Sequence, residues 1–180
     1  CQGFSITGPR NIDDPRNKLY LSVFKTLKLT NPKAFVVENV RGLKTMWEGN
    51  VFKEIIKKFE SAGYIVTESL LNSADYGVPQ IRHRVFLVGI KKELDKKFEF
   101  PKPEFDKDNY ITCGEAIDNL PSLENGELKS NDYKEKPTTN YQTYVMDSNK
   151  IYNHEATLHK QFVKDTIALV PEGGNYKDLP

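Results

Sequence analysis

Residues 34–37 read Ala-Phe-Val-Val, an apolar run without polar alternation that ends directly in Glu38 and Asn39. It is too short for a buried helix and lacks the period-two pattern of a strand with one wet face. It therefore predicts a strand covered on both faces, as in a parallel sheet. The flanking segments agree. Upstream, Asp14 and Pro15 suit an N-cap and a first helical residue, Leu19, Tyr20, Val23, Phe24 and Leu27 follow at helical spacing, and Asn31-Pro32 is a stop. Downstream, Asn50 is placed to cap a second helix with Phe52, Ile55, Ile56 and Phe59 on one side, and Gly63 to end it. Helix, strand, helix is the α/β alternation. Tyr64–Leu71 and Arg84–Ile90 read as two further strands joined by a loop.

The character changes near Lys91. Charged stretches lead to a capping box at Thr112 and Glu115, with Cys113 expected to pack in that short helix, and then to a polar, periodicity-free run over 121–150 that reads as a surface insertion. A final helix is expected from His154 to Val170, burying Leu158, Phe162 and Leu169, before a turn at Pro171-Glu172-Gly173-Gly174-Asn175. The division expected is residues 1–95 as an α/β body and 96–180 as an appendage.

Composition removes several function classes. The 180 residues, 38% of them hydrophobic, suffice for one ordinary core. No apolar run approaches the roughly 18 residues of a membrane helix, and the first residues lack the pattern of a secretory signal. Two cysteines, Cys1 and Cys113, cannot build a disulfide scaffold, and no glycosylation sequon is present, so a reducing compartment such as the cytoplasm is expected. His154 and His159 stand five apart with no Cys pair nearby, so no metal site is expected. Charge is uneven: residues 1–90 carry 13 basic and 8 acidic side chains, against 13 and 17 in residues 91–180. All five arginines, Arg10, Arg16, Arg41, Arg82 and Arg84, fall in the first half. A solvated uneven surface accounts for this; so does contact with a polyanion.

Three clusters have the character of chemistry. Glu38 and Asn39 follow an apolar strand directly, where open α/β sheets place their ligands. A desolvated glutamate there could keep a proton near neutral pH, donating to a ring nitrogen while accepting from an exocyclic amine; a salt bridge to a neighbouring element is the other outcome. Arg82 and Arg84, two apart at the entrance of an extended segment, project from one face, leaving His83 on the other. Two guanidiniums so close call for an anion or carbonyl oxygen between them, unless both are solvated. Cys1, in the loop sequence Cys-Gln-Gly-Phe-Ser-Ile-Thr-Gly, could act as a nucleophile only beside positive charge, which Arg84 could supply.

Taken in order, these clusters resemble the DNA cytosine-5 methyltransferases. Cys-Gln-Gly-Phe-Ser at 1–5 is similar to the family's nucleophile motif, Glu-Asn-Val at 38–40 to its glutamate motif, and Gly-Val-Pro-Gln-Ile-Arg-His-Arg at 77–84 to its arginine motif. Asn-His-Glu-Ala at 153–156 and the closing Pro-Glu-Gly-Gly-Asn are similar to the lead-in to the family's target recognition region. The resemblance implies an incomplete Rossmann-like, S-adenosylmethionine-dependent α/β fold whose substrate is double-stranded DNA. It implies catalytic roles for Cys1, Glu38, Arg84, Arg82 and Asn39, and DNA contacts from Gln2, Ser5, Thr7, Arg10 and Gln80. It also implies methyl transfer to carbon 5 of a flipped cytosine through a covalent Cys1 adduct, within the biology of restriction–modification. The glycine-rich turn that builds the cofactor pocket in this family lies upstream of the nucleophile. No cofactor-binding residue is therefore expected in these 180 residues, and the chain reads as a central fragment, inactive alone. Two rivals remain at this stage. One is an N-terminal-nucleophile amidohydrolase, disfavoured by the parallel sheet that the run 34–37 predicts. The other is a non-catalytic DNA-binding remnant.

Overall fold

In the computed structural model, which describes residues 14–124, 126, 132, 133, 135–148 and 150–179, the expected strands form as β1 (Ala34–Val40), β2 (Tyr64–Asn72) and β3 (His83–Lys91). Their order is β1-β3-β2, with β3 antiparallel to both neighbours. This corrects the parallel-sheet expectation. β1 and β2 do run in the same direction, but β3 lies between them and reverses every pairing. Nor is the run 34–37 covered on both faces by the described residues: Phe35 and Val37 join the core, while Val36 is 66% exposed. An apolar run reports that both faces are greasy, not what lies against them.

The chain divides into two compact units, Cys1–Ile111 and Thr112–Pro180. In the first, Pro15–Lys18 makes a 3-10 turn rather than the start of the helix, and α1 covers Tyr20–Thr30. Asn31 closes α1 from the left-handed region, its N–H donating to Leu27 O, as the sequence predicts. After β1 come α2 (Gly42–Thr45) and α3 (Asn50–Ser61). Asn50 does not cap α3. The chain enters through Trp47, Glu48 and Gly49, all at positive φ, so Gly49 holds the N-cap position and Asn50 is already helical. Gly63 ends the passage at φ +89, as expected.

The core follows from these placements. Leu27 of α1, Leu43 of α2 and Phe52, Ile55 and Phe59 of α3 close over Tyr64, Val85 and Leu87 of the sheet. Val85, Leu87 and Gly89 form one row of β3, and Gly89 stands opposite Phe35. With no side chain at 89, the Phe35 ring occupies the space over that backbone, and a methyl carbon built on Gly89 would overlap it. The same ring meets Phe59 and Tyr64 edge-on, both at 5.0 Å between centroids. Tyr64 is fully buried; its Oη donates to Pro32 O at 2.8 Å, and burial, then the charge of Glu93, pushes the phenol up. Between the helices, Tyr20 Oη donates to Glu54 Oε1 at 2.8 Å. Burial first, then that bond and the Glu54 charge, raise this phenol to about 12. A raised folded pKa means the tie is intact at and below the ordinary phenol range and is lost only as pH climbs through about 12.

The second unit holds α4 (Cys113–Ile117), α5 (Asn140–Val145) and α6 (Gln161–Ala168). The capping box forms as read: Glu115 N donates to Thr112 Oγ1 at 3.2 Å and Thr112 N to Glu115 Oε2 at 2.7 Å. Those donations from Thr112 hold the Glu115 carboxyl below its ordinary range. Cys113, expected to pack, is exposed. Helix α5 lies within the stretch read as structureless. It is short, Thr139 caps it, and its buried residue is Gln142, so no apolar period betrays it. The final helix is shorter than expected and does not bury its apolar residues: Leu158, Phe162 and Leu169 are 78%, 67% and 59% exposed. His154 is outside it, its Nε2 bonded to Pro121 O at 2.7 Å.

Replacing Gly89 with Ala should cost about 1–3 kcal/mol of stability by overpacking, read as a lower urea midpoint. The pair Gly89→Ala with Phe35→Leu should recover part of the loss. An unchanged midpoint for Gly89→Ala alone would show that the ring does not depend on the bare backbone beneath it.

Candidate active site

Because β3 opposes both neighbours, the carboxyl ends of β1 and β2 and the amino end of β3 meet at one edge of the sheet. The register sets Val40 and Leu71 on either side of Arg84, and Glu38 opposite Phe86. Side chains at 38, 40, 84 and 86 share a face, so Glu38 and Arg84 are diagonal neighbours within reach of a long side chain. Arg84 Nε meets Glu38 Oε1 at 2.8 Å, and Arg84 Nη1 donates to His83 O, also at 2.8 Å. The Glu38 side chain is 48% exposed and that of Arg84 23%. Of the two outcomes left open for Glu38, the structure therefore has the salt bridge to a neighbouring element, with about half of the side chain in water. A pair this wet contributes only about 0–1 kcal/mol to folding. What it fixes is direction: the guanidinium is held from two sides.

Beside the pair lies an open cleft of about 400 Å³, walled by Val40, Arg41 and Gly42 on one side and by the run 80–84 on the other. Gln80, Arg82 and Arg84 all line it, so the two arginines of the motif share one concavity as their spacing predicts. Asn39 is on the opposite face of β1, across from Val85, and its Oδ1 accepts the N–H of Val40 at 2.9 Å. It is not brought to the Glu38–Arg84 pair. Cys1, Gln2, Ser5, Thr7 and Arg10 lie outside the described residues.

The loop that carries Gln80 and Arg82 is tied down by residues that sequence reasoning passed over. Asn72, buried at the end of β2, accepts the Arg82 N–H with its Oδ1 at 3.0 Å and donates through Nδ2 to Asp75 Oδ1 at 3.0 Å and Tyr110 Oη at 3.2 Å. Tyr110 Oη in turn donates to the same Asp75 oxygen, and that bond is the main cause of its raised pKa. Asp75 O accepts the N–H groups of Glu104 and Phe105, while Ser73 Oγ donates to Gln80 O at 2.9 Å. Gly77 turns the loop at φ +79, with Phe105 packed so close that a side chain there would meet its ring. The available signal was Asn-Ser-Ala-Asp directly after a strand, a run whose short polar side chains bond nearby backbone groups.

Among the described residues no group of His, Cys, Asp and Glu could hold a metal ion, and no helix is long and apolar enough to cross a membrane. Strand β1 ends in Glu38-Asn39-Val40 and β2 in Leu71-Asn72, so neither of these strand ends carries the glycine-rich turn that the family places upstream of its nucleophile.

Comparison with known proteins supplies the class and then the family. The structure superimposes on that of a prophage-encoded E. coli protein assigned as a DNA modification methyltransferase, with a TM-score of 0.64 and 23% identity over 88% of this chain and 51% of that one. The shared architecture is a Rossmann-like α/β fold. The family model for C-5 cytosine-specific DNA methylases matches residues 1–177, so the chain belongs to that family, whose members use S-adenosylmethionine. Among curated relatives, the Type II methyltransferase M.DdeI of Desulfomicrobium norvegicum is 38% identical over 99% of this chain and 45% of its own length. M1.HphI of Haemophilus parahaemolyticus is 37% identical over 100% and 43%, and M.BspRI of Lysinibacillus sphaericus 43% over 74% and 32%. The chain therefore spans less than half the length of these relatives. The antiparallel sheet removes the argument first raised against the amidohydrolase rival; family membership takes its place.

Asn72→Ala should leave the Arg82 N–H without its acceptor and cost about 1–3 kcal/mol. Hydrogen exchange at Arg82 should quicken while the amides of β1 keep their protection. Equal loss of protection in both would mean that Asn72 supports the whole sheet rather than this loop.

Proposed function

We propose that the chain carries the reaction centre of a DNA cytosine-5 methyltransferase acting on double-stranded DNA, with Cys1 as nucleophile and Glu38 and Arg84 as the groups that hold the target ring. The observation that carries this reading is the Glu38–Arg84 pair, 2.8 Å apart and opening onto an arginine-lined cleft at the edge where the strand ends meet. Family membership supports the same assignment.

A cytosine in a duplex is out of reach and is flipped into the site. Carbon 6 is a poor electrophile until charge on the ring is drawn away, and Glu38 and Arg84 answer that need from two sides. Glu38 hydrogen-bonds ring nitrogen 3 and the 4-amino group, sharing the proton that nitrogen 3 gains as the Cys1 thiolate adds to carbon 6. Arg84 holds the 2-oxo group, and its positive charge favours the thiolate over the thiol. Addition leaves carbon 5 nucleophilic; S-adenosylmethionine, the family's cofactor, would supply the electrophilic methyl group when bound and leave as S-adenosylhomocysteine. Loss of the carbon 5 proton to a solvent base, return of the nitrogen 3 proton to Glu38 and departure of Cys1 as thiolate would then restore the aromatic ring. Asn39 acts at one remove, its bond to the Val40 amide fixing the strand end from which Glu38 projects. Gln2, Ser5, Thr7, Arg10 and Gln80 contact the DNA around the flipped base, with Arg82 in support of Arg84. The Type II relatives favour a modification role beside a cognate restriction endonuclease, without direct contact between the two. Residues 1–95 then form the catalytic half, and 96–180 lead toward target recognition.

The test uses the gene product that carries this chain. Cys1→Ala should abolish methyl transfer and covalent capture of a 5-fluorocytosine duplex. Glu38→Gln should lower kcat by on the order of 10²–10³ with smaller change in DNA affinity. Methylation that persists in Cys1→Ala removes the mechanism. Wild-type protein that binds duplex DNA but never captures the fluorinated base would instead mark a non-catalytic binder.

A further inference from the structure

The cleft beside Glu38 carries more positive charge than the ring-holding groups account for. Among the described residues its lining includes Arg41, Arg82 and Arg84 and no carboxylate. Arg84 is matched by Glu38, and Lys44, the next cation along from Arg41, is matched by Glu68 at 2.7 Å. Arg41 and Arg82 are exposed, and among the described residues neither has an ion-pair partner. They approach from different elements: Arg41 follows β1 at the entry to α2, and Arg82 ends the loop held by Asn72. Two unmatched guanidiniums converge on one open concavity whose described lining holds one imidazole, His83, and no Phe, Tyr or Trp.

From this we infer that Arg41 and Arg82 form a phosphodiester-binding site that grips the backbone of the DNA strand next to the flipped nucleotide. Arg41 is a residue to which nothing above assigns a role. The guanidinium fork matches two phosphate oxygens at once. Such contacts set register and orientation on the duplex without reading sequence. The proposal rests on the methyltransferase reading, since it names the part of the substrate that this cleft holds.

Duplex binding by the gene product that carries this chain, measured over a salt series, tests it. Arg41→Gln should reduce the slope of log Kobs against log[salt] by about 0.9, the value for one lost phosphate contact. Preference for the target sequence should not change, and Arg41→Lys should keep the wild-type slope. A slope unchanged in Arg41→Gln, with methylation intact, overturns the phosphate site and leaves the proposed function standing. Wild-type protein that fails to bind duplex DNA brings down both. Inorganic phosphate is the second probe. If it binds in an Arg41-dependent manner while the DNA salt slope ignores Arg41, the site takes a free anion and the DNA assignment is wrong.

Discussion

Strand β3 runs against both of its neighbours, and that reversal determines what the first unit can do. The loop between β2 and β3 delivers Gln80 and Arg82 to the edge where β1 ends in Glu38-Asn39-Val40. The register then sets Arg84 one diagonal step from Glu38. A slip of one residue along β3 would turn Arg84 toward the core and bring Val85 to the solvent side. The bare backbone of Gly89 under the Phe35 ring guards against such a slip, because only at this alignment does the ring find room. The geometry of the ion pair is therefore anchored in a packing contact deep in the core, several residues from the chemistry.

Much of this was legible in the sequence, for identifiable reasons. The three strands and two long helices of the first unit announced themselves through apolar spacing, and the Asn31 and Gly63 stops through their backbone freedom. The site motifs were legible because each is a short contiguous run and the runs come in a recognisable order. What failed shared one cause: a side chain's identity does not disclose what is packed against it. The apolar run 34–37 looked covered on both faces, yet Val36 is exposed. Leu158, Phe162 and Leu169 were correctly seen as apolar, but nothing among the described residues closes over them. Of the two outcomes open to Glu38, desolvation or a salt bridge to a neighbouring element, the structure has the salt bridge. Asn72, Asp75 and Tyr110 were missed because their bonds join positions 38 residues apart at the widest, a distance no local pattern encodes.

Charge is distributed along this edge by subtraction. Lys44 is claimed by Glu68 and Arg84 by Glu38, both through short bonds, while among the described residues the guanidiniums at 41 and 82 have no such partner. The uneven charge of the two halves, which by itself allowed only a weak statement about polyanions, resolves in three dimensions into a particular residual beside a particular pair. The same subtraction distinguishes the arginines by task. One is oriented by its carboxylate, and the others are left exposed and without such a partner among the described residues.

The tip of the loop from Val78 to Ile81 hangs from fastenings made by its neighbours. Ser73 and Asn72 hold it through the carbonyls of Gln80 and Arg82 and the amide of Arg82, all main-chain groups, and Val78 and Ile81 are 43% and 72% exposed. Bonds to main chain are indifferent to which side chains the tip displays. Mutation can thus sample new surfaces at those two positions without retuning the sheet or its ion pair, leaving descendants of this sequence a place to vary while Glu38 and Arg84 stay put.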